Sequence, residues 1–215
     1  MPWSFIDSIA LSSPTGAGLT TGTIDMTGVD FFAAWVSRYF PIAPLSDSEG
    51  NTWAPLTLQG PIGGQLYLCA NPTVSAAQTF ILGAPVGNNY PSLYVAGFSC
   101  GGTGTLDQES GATPSGTSGQ PGSLTPSEDD DLVLCGACFV NTFTSINGGF
   151  TVTDQLPNVP GQAYGGMLAY LIQTSATAAN PTVTCDSNLY AVALATITIS
   201  GGGGGSTFPS LIVAA

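Results

Sequence analysis

The sequence has no histidine, no lysine and a single arginine, Arg38. Without histidine, no Ser-His-Asp or Cys-His nucleophile can be assembled. Without lysine, there is no P-loop, Schiff base or Ser-Lys pair. No G-x-S-x-G or G-x-G-x-x-G stands in a strand-to-helix context. One cation against 13 acidic residues leaves a net charge of −12. Phosphate recognition needs clustered Lys and Arg, so nucleic acid is excluded as a main partner. Anionic membrane surfaces are disfavoured on the same ground, and no run approaches the ~20 apolar residues of a membrane span. No stretch carries the period of an amphipathic helix.

Charge itself is scarce. Charged residues make up 7% of the chain, against roughly 25% in an average domain. Ser, Thr, Gly, Asn and Gln must therefore cover the surface. Such a surface suits an acidic or proteolytic setting, or one buried against neighbouring subunits, where charges are depleted. The remaining chemistry is that of carboxylates. Asp47 and Glu49 share a turn, and Asp107 and Glu109 share a loop. Neither pair occupies the central strands on which an all-β glycosidase holds its two carboxylates. The inventory predicts a protein that is not an enzyme and uses no cofactor.

What is present is a strand-former's composition. Hydrophobic residues make up 43%, with 29 Gly and 16 Pro spread among short apolar runs. That pattern predicts many short strands joined by turns. The organising stretch is Asp30 to Leu58, with an aromatic run from Phe31 to Phe40, a polar turn at Ser46 to Asn51 and a return strand at Thr52 to Leu56. Asp129 to Val140 repeats the acidic start and apolar run, Ser145 to Gly149 the turn, and Phe150 to Asp154 the return. Gln65–Ala70 then matches Met167–Ile172, and Ser92–Phe98 matches Asn188–Leu194. The prediction is an all-β fold, a single jelly-roll-like β-sandwich of two antiparallel sheets with two internally similar halves, about 1–105 and 106–200, sharing one core. Two small sandwiches split near residue 105 are the alternative. Gly101 to Gly122 is read as a surface loop with a short strand. Residues 201–215 form a five-glycine linker and an apolar tail.

Asp47, Glu49 and Asn51 could offer oxygens to a hard cation such as calcium, as could Glu128 to Asp131. The same residues are also plain turn composition, and no metal is assigned. Arg38 is expected to pair with Asp47 across the turn. The five cysteines, 69, 100, 135, 138 and 185, read as reduced, buried small hydrophobes. Cys135 and Cys138 should point to opposite faces of one strand. Trp35, Trp53, Tyr67 and Tyr94 are expected in the core, with Trp3 and Tyr39 freer to be exposed. In the tail, Phe208, Leu211, Ile212 and Val213 are costly to leave in water, so this segment is expected to contact another protein chain.

The segments VDFFAAWVS at 29–37, SDSEGNTW at 46–53, YLCANPTV at 67–74, YPSLYVAGFS at 90–99 and GFTVTDQ at 149–155 resemble a family of uncharacterised β-rich domains found in phage-like and environmental bacterial sequences. The resemblance covers about residues 4–199 and implies a jelly-roll or concanavalin-like sandwich. It carries no catalytic residues. The start MPWSFID has neither a basic nor an apolar signal region, so the reading is of a chain made in a host cytoplasm without a signal peptide. The expected function is a structural subunit of an assembled particle: a phage virion protein such as a capsid decoration, fibre or tail component. Its partners would be its own copies or other virion proteins. The alternatives are a lectin-like carbohydrate-binding module and a subunit of an extracellular or cell-surface filament.

Overall fold

The computed structural model describes residues 3–13, 15, 18–39, 44–83, 90–161 and 163–200. The tail residues Phe208, Leu211, Ile212 and Val213 lie outside them. Among the described residues there are 16 strands and no helix, hence none long and apolar enough to cross a membrane.

The first half supplies β1 (Ser4–Ser12), β2 (Leu19–Thr20), β3 (Phe31–Tyr39), β4 (Leu45–Asp47), β5 (Ala54–Pro55), β6 (Ile62–Ala70), β7 (Phe80–Leu82) and β8 (Ser92–Ser99). The second supplies β9 (Thr103–Ala112), β10 (Ser118–Gly119), β11 (Leu132–Phe139), β12 (Phe143–Ile146), β13 (Thr151–Leu156), β14 (Gly165–Ile172), β15 (Val183–Cys185) and β16 (Leu189–Ser200). A five-stranded sheet runs β1-β8-β3-β6-β5, and another runs β9-β16-β11-β14-β13. Three-stranded sheets run β2-β7-β4 and β10-β15-β12. The second half therefore repeats the strand order of the first, strand for strand. This is the winding of a jelly roll, with β5 and β13 attached at the edge of the larger sheet.

The fold is an all-β sandwich, and it has four sheets where two were expected. Its layers follow from period-2 side-chain alternation. On β3, Phe31, Ala33 and Trp35 face the central core, while Phe32, Ala34 and Val36 face the first half's three-stranded sheet. On β11, Leu132, Leu134 and Cys138 face the centre, and Val133, Cys135, Ala137 and Phe139 face the other outer sheet. The two five-stranded sheets thus pack face to face. Both faces of β3 and β11 are covered, which is why these strands read as unbroken apolar runs.

Pairing registers define the equivalences between halves. Phe31 pairs with Ala70 and Phe98; Leu132 pairs with Ile172 and Ile197. Phe98 therefore corresponds to Ile197, three residues beyond the position expected from sequence. Both first strands also carry a bulge at the same place, between Phe5 and Asp7 and between Leu106 and Gln108. A bulge inserts one unpaired residue and bends the strand, so its repetition marks a repeated structural unit.

Two further expectations change. The stretch Asp30 to Leu58 is not a hairpin: β4 crosses to the outer sheet to pair with β7, and β5 pairs with β6. The low-complexity segment after Gly101 contains β9, a ten-residue edge strand on β16. Its polar side chains suit a half-exposed edge.

Candidate functional site

On β3 the even-numbered positions face the outer sheet, which places Arg38 on the same side as Val36. Register brings Val36 opposite Gln65 and Arg38 opposite Gly63. Arg38 is buried, 5% exposed, and its Nη2 donates to Gln65 Oε1 at 3.3 Å. The Tyr67 hydroxyl donates to the same oxygen at 3.1 Å. Gln65 Nε2 donates to the Leu56 carbonyl. These polar groups line a pocket of about 750 Å³ whose other walls include Trp53, Pro44, Pro55 and Leu58. Burial lowers the pKa of Arg38, with Tyr67 opposing the shift. Burial raises that of Tyr67, and Arg38 opposes it.

Arg38 does not pair with Asp47 as expected, because the Asp47 carboxylate is occupied by its own turn. Asp47 Oδ1 accepts from the backbone N–H of Glu49 at 2.9 Å and of Asn51 at 3.3 Å, and from Asn51 Nδ2 at 3.2 Å. Its Oδ2 accepts from Trp53 Nε1 at 2.8 Å. Asn51 Oδ1 accepts from the Thr73 amide, and Glu49 Oε1 from Ser48 and Ser75 hydroxyls. The candidate cation ligands Asp47, Glu49 and Asn51 are thus joined in a turn that closes itself and fixes Trp53 in the pocket wall. Among the described residues, no three His, Cys, Asp or Glu side chains come together as a metal-holding group.

A cluster of tyrosine side chains lies where the halves meet. Tyr39 stacks on Tyr164 at 6.4 Å, while Tyr90 and Tyr190 meet Tyr164 edge-on at 6.4 and 5.9 Å. Tyr39 is 37% exposed. Tyr90 has φ of 49°, a strained value for a bulky residue. A shallow pocket of about 300 Å³ adjoins Tyr90, Tyr164 and Asn158. Trp3, by contrast, is buried at 3% exposure, with its ring edge-on to Phe31 at 5.4 Å.

The five cysteines are free and buried, and Cys135 and Cys138 face different cores. Gly97-Phe98-Ser99-Cys100-Gly101 fits the letters of the G-x-S-x-G pattern. It ends β8 and leads into β9, and the chain has no histidine to activate the serine. Sequence reasoning singled out Arg38 and expected Tyr39 to be exposed, but did not point to Gln65 or to the clustering of the other tyrosines around Tyr164. Strand alternation carried through β3 and β6 was the signal for Arg38 and Gln65, since it puts both on one face. The tyrosines come from four separate segments and carry no local signal.

Comparison with protein-family models, with curated proteins and with solved structures gives no match.

Proposed function

We propose that this chain is a non-catalytic structural subunit of an assembled particle, a virion component such as a capsid decoration, fibre or tail protein, whose partners are its own copies or other virion proteins. The observation that carries the reading is the commitment of chemically capable side chains to the scaffold. Asp30 Oδ2 accepts the amides of Cys100 and Gly101, Asp47 closes a turn, and Asp107 accepts from the Ser127 amide and the Thr196 hydroxyl. The thiols are buried, and burial raises their pKa values. Jelly-roll sandwiches serve in capsids and in lectins, and this supports the reading by analogy of fold alone. Negative-stain microscopy of purified full-length protein tests it: regular particles, rings or fibres are expected, and monodisperse single molecules over a wide concentration range would count against it.

The tyrosine cluster favours a second reading, a lectin-like module. Aromatic faces beside an amide side chain suit an uncharged sugar, and Tyr39 is exposed. Glycan-array binding by isolated monomers, lost in Tyr39→Ala, would select it over the first.

A further inference from the structure

We propose that the pocket around Arg38 is a binding site for a small monocarboxylate carried on an apolar or aromatic body. A buried guanidinium is normally paired with a carboxylate, because an uncompensated charge away from water is costly. Every Asp and Glu of the chain lies within the described residues. Among those residues no ion pair reaches Arg38; its hydrogen bond is to the neutral Gln65. A guanidinium has five N–H donors, so most of its capacity is left for a ligand.

The fold does not require a charge here. By register, Arg38 opposite Gly63 corresponds to Phe139 opposite Gly165, and Gln65 and Tyr67 correspond to Met167 and Ala169. The second half builds the same strands with apolar side chains at all three positions. The polar group is therefore a property of the first half's pocket and not of the architecture.

The chemistry of the ligand follows from the walls. One guanidinium matches one carboxylate in bidentate geometry. No second cation is present and the net charge is −12, which disfavours a dianion such as phosphate. Trp53, Pro55 and Leu58 offer apolar surface, and Trp53 is held in place by Asp47. A pocket of about 750 Å³ falls within the usual size of small-molecule sites. This inference stands independently of the assembly reading.

The test is calorimetric titration and thermal shift of the full chain with benzoate, phenylacetate and hexanoate, set against benzamide and inorganic phosphate. At least one of the three carboxylates should bind saturably and raise the melting temperature, with benzamide and phosphate at least ~10-fold weaker. Arg38→Met should lose ~10-fold or more in affinity. It should melt no lower than the parent, since it removes a buried charge that lacks a partner. Leu58→Glu, at a position 45% exposed, should fold normally and weaken carboxylate binding by placing a like charge at the mouth. Failure of all three carboxylates to bind, equal binding of benzamide or phosphate, or unchanged binding in either variant would overturn the proposal. A lower melting temperature for Arg38→Met would assign Arg38 to the scaffold and overturn it as well.

Discussion

Asp30 and Asp131 occupy equivalent positions, each immediately before the central strand of its half, and they differ in what meets the carboxylate. Their carbonyls do the same work, accepting from the amides of Asn71 and Gln173 at 2.9 and 3.0 Å. The Asp30 carboxylate is satisfied by two backbone amides, whereas Asp131, 1% exposed, leaves Oδ2 without a partner. Burial, reinforced by the facing Asp107 and Glu128, pushes its carboxyl up to about 7. An unfolded Asp titrates near ~3.9. The folded state therefore holds the proton more tightly, and the stability this contributes is present below pH ~4 and lost as pH rises through about 7. Asp154, half-buried, is shifted in the same direction by desolvation and by the nearby Asp7. The melting temperature should thus be higher at pH 5 than at pH 8, and Asp131→Asn should flatten most of that slope; an unchanged slope would place its origin elsewhere. The thiols give a second residue-scale expectation. Burial pushes Cys69 up to about 11 and Cys138 up to about 12. Thiol-reactive probes should label none of the five in the native protein and all five in denaturant, so rapid native labelling would contradict their burial.

Among the elements, β3 and β11 set the separation of the two central sheets through one unequal pair. Trp35 of β3 corresponds by register to Gly136 of β11, and the two meet across the interface. A Cβ at Gly136 would lie 2.3 Å from Trp35 Cε3, and one at Gly64 would lie 2.0 Å from Trp35 Cζ2. A single indole fills space between these two glycines, and its Nε1 donates to Ser37 Oγ at 2.9 Å. Gly136→Ala should therefore destabilise by about 1–3 kcal/mol through overpacking, read as a lower urea midpoint; no shift would mean that the interface can spread. Their unbroken apolar runs of strand length made β3 and β11 legible in the sequence as buried strands. Partners were not legible, because a period of two assigns faces without saying which strand lies alongside. Hence β4 and β5 were read as part of one hairpin, and the last strands were aligned three residues apart. The strand β9 was hidden for a different reason. Its Gly, Ser and Thr residues look like loop, and backbone pairing to β16 orders them. At the site, the Asp47 turn was visible by composition, while Gln65, Tyr90 and Tyr164 acquire meaning through contacts from distant segments.

At the scale of the whole molecule, two jelly-roll-ordered units sit back to back with their larger sheets in contact. Trp35, Phe31, Tyr94 and Phe98 come from one unit, and Leu132, Leu134, Leu168 and Ile197 from the other. Hydrogen bonds across the junction, such as Ser92 Oγ to the Tyr164 carbonyl at 2.6 Å and Thr57 to Glu109, hold the halves in register. The core clusters among the described residues are together built from both units, and the proposed role in assembly rests on surfaces and segments beyond them. Burial of Phe208, Leu211, Ile212 and Val213 would contribute roughly 1.5–3 kcal/mol each, against about 1–2 kcal/mol of backbone entropy per ordered residue. This balance favours binding when a neighbour adds main-chain hydrogen bonds. The most direct measurement is sedimentation velocity on the full chain and on a truncation ending at Ser200, both checked for β structure by circular dichroism. The account predicts a defined oligomer or larger assembly for the full chain and a folded monomer for the truncation. A full chain that stays monomeric at all concentrations, or a truncation that assembles equally well, would contradict it.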